Sequence, residues 1–197
     1  MPDHEAAEVV NTLSGLCAEM KVKTLIQVGA GDGYEAFTIA GLMGCRAIAI
    51  EGDTRCTPCS PWLEFHHMLI GATDCTMPFY LHNSMCLSSQ ITRGGKEIRI
   101  ETEQQRLDTF CSRRANLIPD GLIIDTEGTT MDVLEGCEDL LRHLKIVYAE
   151  IQTQEIRPGI RLVGEVNELL TGAGMIKHEA LPSYDGGAQG NLTWIRK

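Results

Sequence analysis

Short apolar runs alternate with segments of helical periodicity along most of the sequence. The apolar runs predict strands at 24–28, 47–51, 67–72, 121–125, 145–151, 175–181 and 191–196. Apolar residues that recur at helical spacing predict helices at about 3–20, 34–43, 131–142 and 162–171. Strands that alternate with helices in this way predict an α/β fold, with a doubly wound, mostly parallel sheet and helices on both faces.

One stretch breaks this alternation. Residues 74–116 contain only short alternating patches, such as those at 79–81 and 97–101, which indicate short strands or an irregular excursion from the main fold. Irregular segments that are rich in polar or small residues often carry binding residues. We therefore expect this segment and the late loop 182–190 to form the substrate walls.

The composition is that of an ordinary soluble globular chain, with 43% apolar and 22% charged residues among 197, and we expect one domain over 1–197. The net charge of −10 argues against a nucleic-acid partner, because duplex binding depends on neutralising many phosphates. No apolar run is long enough to span a membrane, and the acidic, amphipathic N-terminus resembles no targeting peptide. We expect a cytoplasmic protein with a small-molecule or glycan substrate; the sequence predicts no oligomeric state.

The first predicted strand leads into a glycine-rich turn, in the sequence LIQVGAGDGYEAF. Glycines in such a turn permit positive φ and close approach of the backbone to a ligand. An acid ends the next predicted strand, eighteen positions after the last of these glycines, where it can accept hydrogen bonds from ribose hydroxyls. The pattern predicts a nucleoside-type cofactor that contacts Gly29, Ala30, Gly31, Asp32, Gly33, Glu51 and Gly52, with Ala72 and Thr73 bordering the adenine.

The spacing of the three glycines favours one class of cofactor. Dinucleotide-binding turns usually read G-x-G-x-x-G, whereas here the third glycine, Gly33, comes one position earlier. G-x-G-x-G is the commoner spacing in methyltransferases that use S-adenosylmethionine (SAM), a cofactor without a phosphate. SAM is therefore the predicted cofactor. An NAD-dependent oxidoreductase and a non-catalytic SAM- or nucleoside-binding protein remain as alternatives.

A second motif, DTEGTTMDVLEG from Asp125 to Gly136, begins where the fourth predicted strand ends. Together with Val28-Gly29-Ala30, Leu107-Asp108 and Ala149-Glu150-Ile151, it resembles the FkbM family of class I SAM-dependent methyltransferases. The resemblance implies a Rossmann-like, seven-stranded sheet with an antiparallel last strand. It also implies transfer of a methyl group from SAM to a hydroxyl of a sugar, glycan or small metabolite.

The sequence departs from the family pattern at two positions of the glycine-rich turn. Gln27 stands where methyltransferases commonly carry an acid, and Gly31 stands where this family often has asparagine. A glutamine keeps a hydrogen-bond acceptor and adds a donor, but it lacks the negative charge. We therefore expect Gln27 to contact the cofactor without contributing a charge.

Two carboxylates of the second motif are the candidate catalytic residues. An alcohol that accepts a methyl group must lose a proton, which requires a general base within hydrogen-bond reach. The resemblance places Asp125 near the methionine end of the cofactor, so Glu127 is the better candidate for contact with the substrate hydroxyl. Glu127 could instead cap the following helix or bind loop amides. We predict no metal, with a Mg²⁺ site at Asp125, Glu127 and Glu150 as the alternative.

The eight cysteines are scattered without the spacing of a disulfide framework, and we expect reduced thiols. The pair Cys56-x-x-Cys59 is similar to a thioredoxin active site, in which a C-x-x-C motif at a helix start lowers a thiol pKa. Only eighteen residues separate Cys59 from Pro78, too few for the elements that precede the proline-led strand in that fold. The sequence therefore favours no redox role for this pair.

Overall fold

A large, mostly parallel sheet lies at the centre of the computed structural model, which describes residues 4–84, 87–92, 96–115, 117–156, 159–178, 183–184 and 187–197. The strands are β1 (Thr24–Val28), β2 (Arg46–Glu51), β3 (Glu64–His67), β4 (Leu69–Ile70), β5 (Cys75–Leu81), β6 (Ile98–Gln105), β7 (Gly121–Ile124), β8 (Ile146–Gln152), β9 (Met175–Lys177), β10 (Ser183–Tyr184) and β11 (Gln189–Arg196). The helices are α1 (His4–Glu19), α2 (Tyr34–Met43), α3 (Leu107–Ser112), α4 (Thr130–Glu135) and α5 (Val163–Gly172).

The order of strands in the large sheet is β3-β2-β1-β7-β8-β11, with both β9 and β10 on the outer edge of β11. β10 pairs with the start of β11 and β9 with its end, so the two short strands share one position. The sheet thus has seven strand positions. Its inner pairs are parallel, and β11 runs antiparallel to its neighbours. The predicted mostly parallel, seven-stranded sheet with an antiparallel last strand is confirmed.

Helices cover both faces of this sheet, as predicted. On one face, α1 and α2 pack against alternate residues of the central strands, including Leu25, Ile123 and Ile146. On the other face, α3, α4 and α5 pack against the intervening residues, including Ile26 and Ile124. This alternation follows from the period of two in a β-strand, which sends successive side chains to opposite faces. Within the described residues, no helix is both long and apolar enough to cross a membrane.

The predicted strand at 67–72 is divided between two sheets. β3 ends at His67 and pairs with β2, whereas β4 pairs with β6. β4, β6 and β5 form a second sheet in which β5 and β6 are antiparallel. The patches at 79–81 and 97–101, for which we expected short strands or an irregular excursion, fall largely within β5 and β6. Pro78 is accommodated because β5 is an edge strand of this sheet.

The predicted helix at 131–142 is also shorter than expected. α4 ends at Glu135, and the chain continues through turns to β8. Gly136 lies so close to the backbone of Gly71 that an added Cβ would be 2.2 Å from its carbonyl oxygen. The strand predicted at 175–181 is β9, which ends at Lys177; residues 179–182 lie outside the described part.

Candidate active site

A cleft of about 620 Å³ opens beyond the carboxyl ends of β1, β2 and β7. This is where open parallel sheets bind ligands. The lining residues come from the two motifs of the sequence and from segments between them: Gln27, Val28, Gly29, Ala30, Gly31, Asp32, Glu35, Glu51, Gly52, Arg55, Cys56, Thr57, Pro58, Cys59, Met68, Leu69, Ile70, Phe79, Ser88, Gln90, Asp125, Thr126, Glu127 and Thr129.

The three glycines of the turn have different structural roles. All three have positive φ, at 72° for Gly29, 56° for Gly31 and 77° for Gly33. A Cβ on Gly29 would lie 1.8 Å from the carbonyl oxygen of Asp125, and one on Gly33 would lie 2.4 Å from a methyl group of Leu63. A Cβ on Gly31 would meet no atom of the described chain within 4 Å. Gly29 and Gly33 therefore permit close packing, whereas Gly31 keeps space free beside the cleft.

The acid at the end of β2 is bound to the glycine-rich turn. Oε2 of Glu51 accepts a hydrogen bond from the backbone N–H of Gly31 at 2.8 Å, and Oε1 accepts one from Asp53 at 2.8 Å. Burial raises the pKa of Glu51, although these backbone hydrogen bonds oppose the shift. Each oxygen retains a second lone pair, so the carboxylate can still accept a hydrogen bond from a ligand hydroxyl.

Gln27 lies at the end of β1, and its side chain binds the first turn of α2. Its Oε1 accepts a hydrogen bond from the backbone N–H of Ala36 at 3.0 Å, and its Nε2 donates to Oε2 of Glu35 at 3.1 Å. Both Gln27 and Glu35 line the cleft. The charge that is missing at Gln27 is thus present on the adjacent side chain of Glu35, a residue that the sequence analysis did not identify.

Asp125 follows β7 directly, and its exposed area faces the cleft. The residue is exposed by its accessible surface and borders the space in which a ligand would lie. Burial, together with the negative charges of Glu150 and Glu127, raises the pKa of Asp125 well above its usual value. A carboxyl group in this environment holds its proton at a higher pH than an exposed aspartate does.

Glu127 lines the same cleft and has a left-handed backbone conformation, with φ 53°. Its carbonyl oxygen accepts a hydrogen bond from Oγ of Ser89 at 3.0 Å. α4 begins after Thr129, so Glu127 is not the N-cap residue of that helix. The structure thus places both predicted catalytic carboxylates, Asp125 and Glu127, at one end of the cleft.

Glu150 does not join this pair in the cleft. It is almost fully buried, and its Oε1 lies 3.4 Å from Nε2 of Gln189, which is also buried. In the part of the chain that the structure describes, no three His, Cys, Asp or Glu side chains are arranged to hold a metal ion. The alternative Mg²⁺ site at Asp125, Glu127 and Glu150 is therefore not formed by this arrangement.

Ala72 and Thr73, predicted to border the adenine, lie outside the cleft lining. The carbonyl of Ala72 accepts a hydrogen bond from Arg106 at 2.9 Å, and that of Thr73 accepts one from Gln104 at 2.9 Å. The cause is the division of the predicted third strand, which directs these residues toward β6. The apolar lining comes instead from a group that includes Leu69, Ile70 and Phe79.

An ion pair that the sequence did not predict connects two walls of the cleft. The guanidinium of Arg55 binds both carboxylate oxygens of the buried Asp53, at 2.8 and 2.5 Å, and Oγ of Ser88 donates to the same carboxylate at 2.7 Å. Burial alone would raise the pKa of Asp53, but these hydrogen bonds outweigh it and hold the pKa below its usual value. Ser88 is thus attached to one wall and the adjacent Ser89 to another, at Glu127.

Cys56 and Cys59 line the cleft in the loop after β2, Cys56 buried and Cys59 exposed. Cys59 is a free thiol. Burial and the negative charge of Asp32 raise the pKa of Cys59, opposite to the shift that activates a thiolate. The absence of a redox role for this pair stays a prediction.

Comparison with solved structures identifies methyltransferases of similar fold. The fold is similar to the O-methyltransferase TomG from Streptomyces achromogenes in complex with SAM (TM-score 0.58, 12% identity, 97% of this chain and 81% of that chain covered). It is also similar to an O-methyltransferase from Bacillus cereus in complex with S-adenosylhomocysteine, SAH (TM-score 0.55, 14% identity, 96% of this chain and 81% of that chain covered). A third similar structure is DesVI of Streptomyces venezuelae (TM-score 0.54, 10% identity, 99% of this chain and 93% of that chain covered).

No curated protein matches the sequence significantly. The family model of the methyltransferase FkbM domain, however, matches residues 27–176, which include the glycine-rich turn, Glu51 and the Asp125–Glu127 loop. With the match extending over more than half of the sequence, and with the class I methyltransferase fold in place, this chain belongs to the FkbM methyltransferase family.

Proposed function

We propose that this protein is a SAM-dependent methyltransferase that methylates a hydroxyl of a neutral sugar, glycan or small metabolite. The observation that carries the proposal is that one cleft contains both sets of residues that the reaction needs. Gly31, Glu51, Asp125 and Glu127 all line this cleft, and we assign the first two to the nucleoside and the last two to the hydroxyl acceptor. The choice of oxygen as acceptor is supported by the resemblance to the FkbM family.

The residues present fit an adenosine-type cofactor. The cleft volume of about 620 Å³ lies within the usual range for small-molecule sites, about 300–1,000 Å³. Gly31 leaves open space at the cleft surface, and the carboxylate of Glu51 lies beside it. Apolar side chains, including Leu69 and Phe79, offer a surface for a flat base.

When bound, SAM supplies a methyl group that its sulfonium activates. The protein's contribution is to hold the acceptor oxygen in line with that methyl group and to keep water away. Glu127 then accepts the hydroxyl proton, while Asp125 forms hydrogen bonds near the methionine end.

The charges of the cleft support an uncharged acceptor. Five lining residues are acidic, namely Asp32, Glu35, Glu51, Asp125 and Glu127. The lining cation, Arg55, is already paired with Asp53. A phosphorylated or carboxylated acceptor would be repelled by the carboxylates of Asp32, Glu35 and Glu127, whereas a polyhydroxylated neutral molecule would not be.

The same charges argue against NAD. A dinucleotide places its pyrophosphate at the N-terminus of the helix that follows the glycine-rich turn. Here Asp32 precedes α2 and Glu35 lies in its first turn, so the pyrophosphate would meet two carboxylates.

Calorimetric titration with SAH and with NAD, followed by methyl-transfer assays on a panel of neutral sugars and other alcohols, tests the proposal. We expect binding of SAH, no binding of NAD, and turnover on a hydroxylated acceptor that is lost in Glu127→Gln. Binding of NAD alone would overturn the proposal. Binding of SAH without turnover on any acceptor would instead identify a non-catalytic binding protein.

A further inference from the structure

The side-chain amide of Gln27 has a fixed orientation. Its oxygen accepts from the backbone of Ala36, and its nitrogen donates to Glu35, so neither group can exchange roles without losing a hydrogen bond. The side chain is 3% exposed. Gln27 therefore acts as a neutral bridge that holds the Glu35 carboxylate against the wall of the cleft.

The pairing also explains why an amide is suitable at position 27. A carboxylate there would face Glu35 across 3.1 Å, and two like charges at that separation repel strongly. With glutamine at position 27 and an acid at position 35, this corner of the cleft keeps one negative charge. Compared with a methyltransferase that carries the acid at position 27, the charge lies on the neighbouring side chain, Glu35. There it is at the N-terminus of α2, where the helix dipole favours a negative charge.

The position of Glu35 relative to the other carboxylates decides what this charge can do. Its carboxylate, held by Gln27, lines the same cleft as Asp125 and Cys59, and its charge contributes to the raised pKa values of both. Glu51, in contrast, is bound by backbone N–H groups at the end of β2. Glu35 is thus held at the start of α2 and Glu51 at the end of β2, and both carboxylates border the same cleft as Asp125.

We propose that Glu35 supplies the negative charge that binds the α-ammonium group of the SAM methionine moiety, in place of the acid that methyltransferases commonly carry at the position of Gln27. This inference rests on the proposed use of SAM. Asp125 is the weaker counter-ion for this ammonium, because its raised pKa reduces its negative charge. Glu35 would accordingly be a cofactor-binding residue specific to the Gln27-containing form of this turn.

The test is calorimetric titration of the full chain with two ligands, SAH and 5′-methylthioadenosine, which lacks the ammonium and carboxylate groups. We expect Glu35→Gln to weaken SAH binding by about 10- to 100-fold, the range for loss of a hydrogen bond to a charged group. The affinity for 5′-methylthioadenosine should not change. The exchanged variant Gln27→Glu/Glu35→Gln should recover SAH binding, because it returns the charge to the adjacent position.

Glu168→Gln, which removes an exposed carboxylate from α5 on the other face of the sheet, is the matched control and should bind both ligands as the wild type does. Circular dichroism checks that each variant is folded. Unchanged SAH affinity in Glu35→Gln, or an equal loss for both ligands, would overturn the inference while the proposed function stands. Failure of the wild type to bind SAH would instead overturn the proposed function.

Discussion

The backbone N–H of Gly31 and the carboxylate of Glu51 form a 2.8 Å hydrogen bond between the glycine-rich turn and the end of the neighbouring strand. The other oxygen of Glu51 binds the backbone of Asp53. One side chain therefore holds two loops that border the cleft. Its role in shaping the site cannot be separated from a role in ligand binding by alanine substitution alone.

Glu51→Gln is the sharper substitution because it retains the size of the side chain. Its amide can accept one of the two backbone hydrogen bonds but must face the other N–H with a donor. We expect the free energy of unfolding to fall by about 1–3 kcal/mol, and SAH affinity to fall at least tenfold through loss of the ribose contact. Urea denaturation and calorimetry measure the two effects. Unchanged SAH affinity in the folded variant would refute the ribose role.

Gly31→Ala and Gly29→Ala should fail in different ways. A methyl group at Gly31 meets open space, so the variant should fold at a cost of about 1–2 kcal/mol for a positive φ and bind SAH poorly. A methyl group at Gly29 would overlap the backbone of Asp125, so that variant should lose most of its stability. Thermal unfolding separates the two, and equal melting temperatures would contradict the packing role of Gly29.

Asp125→Asn should change how stability depends on pH. Folding raises the pKa of Asp125 from about 3.9, so the folded state holds the proton more tightly than the unfolded state. The stability contributed by this group is fully present below the unfolded pKa and is lost as pH rises through the folded pKa. The free energy of unfolding of Asp125→Asn, relative to the wild type, should therefore increase as the pH rises above about 4. Urea denaturation at several pH values measures the free energies of unfolding of the two proteins. A difference between them that does not change with pH would contradict the prediction.

Ser89→Ala should affect catalysis more than cofactor binding. Ser89 is buried, and its hydroxyl donates to the carbonyl of Glu127, whose left-handed conformation needs support from its surroundings. Without this hydrogen bond we expect kcat to fall by about 10- to 100-fold through misplacement of Glu127, with SAH affinity retained. Ser112→Ala, at an exposed site on α3, is the control. A parallel loss of SAH affinity would show that Ser89 supports the cleft as a whole.

Cys59→Ser should bind SAH and turn over as the wild type does, because the environment of Cys59 does not favour a reactive thiolate. Alkylation of the wild type with N-ethylmaleimide should nevertheless reduce SAH binding, since Cys59 lines the cleft and is exposed. The Ser variant should resist this treatment. Loss of turnover in Cys59→Ser itself would restore a catalytic role for the thiol.

The sequence predicts elements well where local signals mark their ends. α2 has its predicted bounds because Gly33 and Gly44, both with positive φ, lie at its two ends. The split of the third strand has no such signal, since an apolar run does not tell which neighbour it will pair with. Only the first half of β6 was indicated by the sequence, because polar residues occur on both faces of the strand, as the sequence IRIETEQQ shows.

The residues of the candidate site were likewise predicted where short local motifs mark them. Gly31, Glu51, Asp125 and Glu127 belong to short motifs, and the structure brings them to one cleft. Contacts such as that of Ser88 with Asp53 join residues 35 positions apart, and no local pattern indicates them.

Motif residues also differ in what they do. Asp108, from the family motif, lies away from the cleft lining. Its carboxylate accepts hydrogen bonds from the backbone of Asp139 and Leu140, and so stabilises the chain beyond α4. Membership of a family motif therefore did not distinguish residues that border the cleft from residues that support the fold.

Ser88 and Ser89 are consecutive, yet one is bonded to Asp53 and the other to Glu127 on a different wall. The cleft cannot widen across this point unless at least one of the two hydrogen bonds breaks. Each contributes about 1–3 kcal/mol, little beside the roughly 5–15 kcal/mol that holds a typical domain folded. Separation of these two walls therefore requires far less free energy than unfolding of the central sheet.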